Sequence, residues 1–364
     1  MKTIYNFSAG PAVLHPSVIQ STADAANNFN NSGMSLMEMS HRSKPVVDMV
    51  NETEELSREL LQIPKEFEVL FLQGGASLQF SMIPMNLLIK DAVADYTDTG
   101  SWSYKALNQA KLFGKVNIAS SSRTSNYSFI PKQINQLAES IYLHITSNNT
   151  IYGTQWKEFP KPLNSSGFLV ADMSSDIFSR PLNFDNFGLI YAGAQKNIGP
   201  AGATLIIIRK DILKDIDRKI PDMLSYRIHI EKNSMFNTPP VMSIFAINCS
   251  LKWLKSVGGV ESINKNNSIK AKLLYTEIKR NSLFQSPVAK EDRSLMNIPF
   301  VFNEDIKEND TLFLEFCDKR GLKTLKGHRS VGGFRASIYN AMPLKGVEAL
   351  IHAMQDYEKL IRHH

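Results

Sequence analysis

Between residues 69 and 209, seven short apolar runs alternate with amphipathic stretches, and no other feature limits the fold of this chain as strongly. The runs are VLFL (69–72), AVADYT (92–97), KVNIA (115–119), SIYLHIT (140–146), FLVAD (168–172), GLIYA (188–192) and ATLIIIR (203–209). Many of their residues are β-branched, and most runs are bounded by Gly, Ser, Asn or Asp, which is the texture of strands buried on both faces. Helical stretches such as SYKALNQAKLF (103–113) lie between them. Such alternation predicts parallel strands with crossover helices, an α/β sheet covered on both sides. Ligands of such sheets bind beyond the carboxyl ends of the strands.

The texture changes after residue 250. SVGGVESINKNNSIKAKLLYTEIKRN starts with a Gly-Gly break and runs into an amphipathic helix. A smaller α+β region follows, with strands expected near 298–302 and 334–339 and a final helix over about 344–361. The 364 residues suffice for two domains, and the expected division is a large domain over 1–255, including the N-terminal segment, and a small one over 256–364. His363 and His364 read as a disordered end. The formal charge of +6 is mild for this length. Its scattered Lys and Arg form no block or stripe for nucleic acid. No apolar run approaches the roughly 20 residues needed to cross a bilayer, and MKTIYNFSAGPAVL has no signal-peptide core. Two cysteines, Cys249 and Cys317, argue against a disulfide framework. These features together give the expectation of a soluble cytoplasmic protein.

GAQKNIGPAG (193–202) places one lysine, Lys196, in a glycine-rich turn between two apolar runs. A lysine amine attacks a carbonyl only when unprotonated, a form that burial or a nearby cation favours. Its commonest use on such a sheet is a Schiff base with pyridoxal phosphate, which also requires a carboxylate for the pyridine nitrogen. GFLVADMSSDIFSRP supplies Asp172 at the end of an apolar run, 24 residues before Lys196. That interval holds one connection and one strand, so the two side chains reach a common crevice. A lysine after a strand usually lays its stem over the surface, and an aspartate there usually caps a helix. The pairing, with glycine on both sides of the lysine, favours the chemical reading. Asp176 competes for the carboxylate role; Asp172 is preferred because it directly follows the apolar run.

A phosphate needs backbone N–H donors. VLFLQGGASLQFSMIPMNLL provides a strand, the small residues Gly74, Gly75, Ala76 and Ser77, then a helix start. No GK[ST] follows, so this is not a Walker motif. In DYTDTGSWSYKAL, again at a strand end, Trp102 is placed to stack on a flat heterocycle.

With these parts assembled, the chain resembles the phosphoserine aminotransferase family, class V aminotransferases of the aspartate-aminotransferase fold. The resemblance runs nearly end to end, through NFSAGPAVLHPSVI, MSLMEMSHRS, FLQGGASLQFSMIPMNLL, TGSWSYKA, GAQKNIGPAG, NTPPV and GHRSVGGFRASIYNAM. It implies a mainly parallel seven-stranded sheet in the large domain and a homodimer with active sites at the subunit interface. It further implies that Lys196 carries the Schiff base, Asp172 pairs with the pyridine nitrogen and Trp102 stacks on the ring. Ala76 and Ser77 would offer backbone N–H groups to the phosphate, helped by Gln195, and Thr150 would touch the ring-oxygen region. Asn237 and Thr238 would reach the cofactor phosphate of the neighbouring subunit. No metal is implied.

The family's substrates are 3-phosphohydroxypyruvate or phosphoserine, with glutamate and 2-oxoglutarate as the other pair; whether 4-phosphohydroxythreonine of vitamin B6 synthesis is also used stays open. Arg335 matches the arginine that grips the α-carboxylate. His328 and Arg329, with His41 and Arg42 of the partner subunit, match the group that binds the substrate's phosphate or the side-chain carboxylate of glutamate. One position departs: many bacterial members carry an arginine where this chain has Ser77, so one positive charge is missing from that set. Two other enzymes of the same fold compete. A cysteine desulfurase needs a mobile reactive cysteine, whereas Cys249 and Cys317 lie in amphipathic or apolar stretches. A serine–glyoxylate aminotransferase gives no reason for His-Arg pairs at both 41–42 and 328–329.

Overall fold

A computed structural model describes residues 3–214, 216, 218–306 and 309–362; the tail expected at His363 and His364 lies outside the described residues. The chain opens with a short strand β1 (Tyr5–Asn6) and helices α1 (Pro16–Asn27) and α2 (Lys44–Leu61). All seven expected strands then form: β2 (Phe67–Leu72), β3 (Val93–Asp98), β4 (Lys115–Ser121), β5 (Tyr142–Thr146), β6 (Phe168–Asp172), β7 (Phe187–Gly193) and β8 (Thr204–Arg209). Helix α3 (Gly75–Leu87) follows β2 and α4 (Ser101–Ala110) follows β3. Beyond the sheet come α5 (Tyr226–Glu231), α6 (Val241–Ser256), α7 (Gly259–Arg280), β9 (Phe284–Gln285), β10 (Asn297–Phe302), α8 (Asp310–Lys319), β11 (Leu322–Lys323), β12 (Phe334–Ser337) and α9 (Leu344–Arg362).

The seven strands make one sheet in the order β2-β8-β7-β6-β5-β3-β4. Six run parallel; β8 runs antiparallel to both of its neighbours, β2 and β7. This is the mainly parallel seven-stranded sheet that the resemblance implies, with β8 as its one antiparallel strand. The connection from β7 to β8, residues 194–203, is shorter than the dozen or so residues that a parallel crossover needs, so β8 returns as a hairpin partner.

Both sheet faces are covered, which is why the strands read as continuous apolar runs. Along β6, Leu169 and Ala171 enter a core shared with Val46, Val50, Ile244 and Ile247 of α2 and α6. Phe168 and Val170 enter the opposite core with Phe80, Ile83, Ala106 and Leu107 of α3 and α4. A separate core gathers Phe284, Phe300, Phe313 and Phe334 with residues of α7 and α9. The chain start belongs to this last core: β1 pairs in parallel with β11, Tyr5 opposite Leu322, and Phe7 is fully buried there. Burying a side chain of that size contributes about 1.5–3 kcal/mol, enough to hold the first residues beside the last third of the chain.

Candidate active site

Because β2, β3, β5, β6 and β7 run parallel, their carboxyl ends share one edge of the sheet, and the residues that follow them converge. Asp172 is the last residue of β6. It is buried, and its Oδ1 accepts bonds from the Ser174 hydroxyl (2.6 Å) and N–H (3.0 Å). Burial raises its carboxyl above the usual aspartate value, opposed by Lys196 and by Ser174. Lys196 follows β7. Burial draws its ammonium below the usual lysine value, Asp172 opposing and Arg335 adding to the shift. The competing carboxylate is committed elsewhere. Asp176 accepts bonds from the Ser147 hydroxyl and Gln155 Nε2 and lies 3.6 Å from the Arg180 guanidinium.

Trp102 sits in the first turn of α4, its ring centroid 5.5 Å from Lys196 Nζ. Its Nε1 donates to Thr150 Oγ1 (3.2 Å), and the Thr150 carbonyl accepts from Arg335 Nη1 (3.0 Å). The indole is thereby joined through Thr150 to the β12 guanidinium. Arg335 is partly buried, and desolvation lowers its pKa. His328 lies in the loop before β12, its Nδ1 accepting from the Ser330 N–H (3.2 Å). Burial lowers its pKa, and the fields of Arg335, Arg329 and Lys105 add to this. Arg335, Arg329 and Lys105 thus gather around His328, and Lys196 lies in the fields of both Arg335 and Asp172.

The start of α3 completes the crevice. Gly74 takes φ 85° and Gly75 φ 63°, a left-handed turn that an L side chain resists. Gly74 supplies no side-chain cap, so the first N–H groups of the helix, at Gly75, Ala76 and Ser77, are left to a ligand. A Cβ added at Gly75 would meet nothing within 4 Å, so there is room beside the helix start. Gln195 lies in the Lys196 turn, and its carbonyl accepts from the Ala12 N–H (2.9 Å). Uncapped N–H groups, a deep lysine, a buried carboxylate and a ring-sized indole fit an aldehyde cofactor bearing a phosphate.

Not all of the expected residues meet within one chain. Among the described residues, no hydrogen bond joins His41, Arg42, Asn237 or Thr238 to Lys196, Asp172, Trp102 or Arg335. The Thr238 carbonyl instead accepts from Gln73 Nε2 (3.1 Å) and Asn237 Nδ2 (3.4 Å). His41 Nε2 is buried without a partner, and Arg42 is exposed. Two groups were missed from the sequence. Lys105, inside the quoted TGSWSYKA, places its ammonium 4.6 Å from the Trp102 centroid. The segment Ala9–Ala12 lies against the Lys196 turn, where a Cβ on Gly10 would come within 3.3 Å of Lys196 Cγ. Neither cysteine is poised for chemistry: both are free, and burial raises the Cys249 thiol and pushes that of Cys317 up to about 12. Among the described residues no helix is long and apolar enough to cross a membrane, and no cluster of His, Cys, Asp and Glu could hold a metal.

Known proteins resemble this chain over nearly its whole length. The family described as Aminotransferase class-V matches residues 4–350. A phosphoserine aminotransferase of Azobacteroides pseudotrichonymphae genomovar. CFP2 is 53% identical over 98% of each chain. The structure of phosphoserine aminotransferase from Bacillus circulans subsp. alkalophilus superposes with a TM-score of 0.94 at 44% identity, covering 98% of this chain and 99% of that one. A phosphoserine aminotransferase from Trichomonas vaginalis, solved with pyridoxal phosphate bound, gives a TM-score of 0.92 at 40% identity, covering 97% of this chain and all of its own.

Proposed function

The chain belongs to the class-V aminotransferase family, and from that premise we propose that it is a pyridoxal phosphate enzyme interconverting 3-phosphohydroxypyruvate and O-phosphoserine, in serine biosynthesis. Glutamate and 2-oxoglutarate form the other pair. The observation that carries this reading is the placement of Lys196 and Asp172 at adjacent strand ends, with Trp102 5.5 Å from the lysine.

Lys196 is the attachment point for the cofactor's aldehyde. Asp172 would hold the pyridine nitrogen, with the oxygen that Ser174 does not use. Trp102 would cover the ring, Thr150 would adjoin its oxygen, and the N–H groups of Ala76 and Ser77, with Gln195, would take the phosphate. When bound, the cofactor supplies an electron sink at the substrate's α-carbon. The chain's own residues do the rest. Arg335 grips the α-carboxylate and orients the substrate. Lys196 Nζ, whose environment favours the neutral amine, takes the α-proton as general base. Asp172 would hold a positive charge on the cofactor's ring nitrogen. His328 and Arg329 bind the distal anion, phosphate or glutamate carboxylate. Ser77 leaves that subsite one cation short of the pattern in many bacterial relatives.

His41 and Arg42 of the partner subunit complete the distal subsite, and Asn237 and Thr238 of the partner subunit complete the phosphate site. Two observations support such a homodimer. Among the described residues none of these four is hydrogen-bonded to Lys196, Asp172, Trp102 or Arg335, and Met34 (43% exposed) and Met37 (68% exposed), a few residues before His41 in the chain, present apolar surface. The division of the chain near residue 255 belongs to the same reading, supported by one core that reaches Ile263 and another that, Phe7 at the chain start aside, begins at Ala271. Two free cysteines support a cytoplasmic location.

Borohydride reduction of the yellow protein followed by peptide mapping tests the assignment. The modified residue is expected to be Lys196; an unmodified Lys196 in fully loaded protein refutes it. Comparing O-phosphoserine with serine as amino donor then tests the substrate class, with the phosphorylated donor expected to be strongly preferred.

A further inference from the structure

Directly after Lys196 stands an asparagine whose amide spans two other segments of the site. Asn197 Nδ2 donates to the Ile177 carbonyl (2.6 Å), in the turn that follows Asp172. Asn197 Oδ1 accepts from the Asn340 N–H (3.0 Å), in the segment that follows Arg335. Among the described residues these are the only hydrogen bonds from the turn 194–203 to either segment. The other bonds of the turn close it on itself, on the end of β8, or on Ala12 and Ser243.

The far side of this bracket is itself held rigidly. The Asn340 side chain donates to the Phe178 carbonyl (2.9 Å) and accepts from Asn267 Nδ2 (2.8 Å). Phe178 is a buried aromatic residue at φ 58°, a conformation that a bulky side chain adopts only when its surroundings impose it. One helical turn from Asn267, Lys270 Nζ donates to the carbonyls of Ile338 (3.0 Å), Tyr339 (2.7 Å) and Met342 (3.1 Å). Asn267, Lys270 and Asn340 are all buried. The segment 338–342 is therefore anchored to α7 on one side and to the Lys196 turn on the other.

We propose that Asn197 is a positioning residue of the reaction: its amide locks the Lys196 turn to the segments that carry Asp172 and Arg335, fixing the three charged groups relative to one another. The proposal rests on the assignment of Lys196 given above. A lysine side chain has four rotatable bonds, so its nitrogen is aimed only if its backbone is fixed against the groups it works with. A displacement of about 1 Å at a reacting group costs on the order of a hundredfold in rate. Asn is the side chain that suits this geometry, since one donor and one acceptor diverge from a short stem.

The test uses the holoenzyme with Asn197→Leu, close in shape but unable to hydrogen-bond, Asn197→Gln, which keeps the amide on a longer stem, and Asn340→Ala. Asn197→Leu is expected to lower kcat by about tenfold to a hundredfold. It is also expected to move the pH midpoint of the cofactor's visible absorbance by roughly half a unit or more, because the field at Lys196 changes. Asn197→Gln recovers part of both effects. Asn340→Ala keeps the backbone N–H that Asn197 uses and shows the smaller loss. A purely structural bracket would lower the unfolding temperature of all three while leaving kcat and the pH midpoint near the parent values, and that result overturns the proposal. Should the leucine variant fail to fold, a glutamine variant with parental kcat and midpoint overturns it equally. Borohydride mapping of the parent protein reports separately on the Lys196 assignment.

Discussion

Arg335 offers the sharpest numerical test of the site. Its Nη1 is occupied by the Thr150 carbonyl at 3.0 Å, which leaves Nη2 and Nε to face a substrate carboxylate. Removing one side of a buried, hydrogen-bonded charge pair costs about 2–5 kcal/mol. At about 1.4 kcal/mol per tenfold this spans roughly 30-fold to a few thousandfold in KM. Burial of the guanidinium argues for the upper part of that range; the neighbouring field of Lys196 argues for the lower part. An increase of about a hundredfold is expected for Arg335→Ala. Arg335→Lys keeps the charge but loses the planar fork and leaves the buried Thr150 carbonyl unpaired, about 1–3 kcal/mol, so it falls between the two, near tenfold. The assay is initial rate against glutamate and, separately, against O-phosphoserine, both of which carry an α-carboxylate. KM values for both donors within about threefold of the parent in the alanine variant would refute the carboxylate assignment.

Two further outcomes follow from the geometry. Gly74→Ala puts a Cβ 2.4 Å from Leu78 Cδ2 at φ 85°, so the turn before α3 must shift; about 1–2 kcal/mol of left-handed strain alone predicts cofactor affinity roughly tenfold weaker, read by titration of the apoenzyme with pyridoxal phosphate. Glu358 is buried, and while burial alone would raise its carboxyl, the Ser282 N–H and hydroxyl and Arg280 hold it down at about 2 against an ordinary 4.5. A folded value below the unfolded one stabilises fully above pH 4.5, and the contribution fades as pH falls toward 2. At about 1.4 kcal/mol per tenfold, Glu358→Gln should lose about 3 kcal/mol at neutral pH and progressively less in acid, measured by urea unfolding.

The sheet was legible in the sequence because strands buried on both faces carry no polar alternation to confuse them; FLVAD and GLIYA read as β6 and β7 almost residue for residue. The direction of β8 was not, since TLIIIR looks the same in either orientation. Only the shortness of the connection 194–203 signalled a hairpin. At the site, Lys196, Asp172, the α3 start and Trp102 were readable because each follows an apolar run, and strand ends of a parallel sheet converge. Asn197, Asn340 and Lys270 escaped notice for the opposite reason. Their meaning lies in backbone groups up to 162 residues away, and a polar residue bonded to distant backbone leaves no local pattern. Lys105 was in plain view in TGSWSYKA, but an exposed helical lysine is ordinary until the indole beside it is placed.

The pairing of Tyr5 with Leu322 has a consequence for how the protein is made. On a ribosome adding about 5–20 residues per second, the opening strand waits roughly a quarter of a minute to a minute for its partner to be synthesised. Through that interval Phe7 has no core to enter and is open to chaperones and proteases. Docking of β1 is then a late event in folding, and it brings Gly10 alongside Lys196 only when the rest of the crevice already exists.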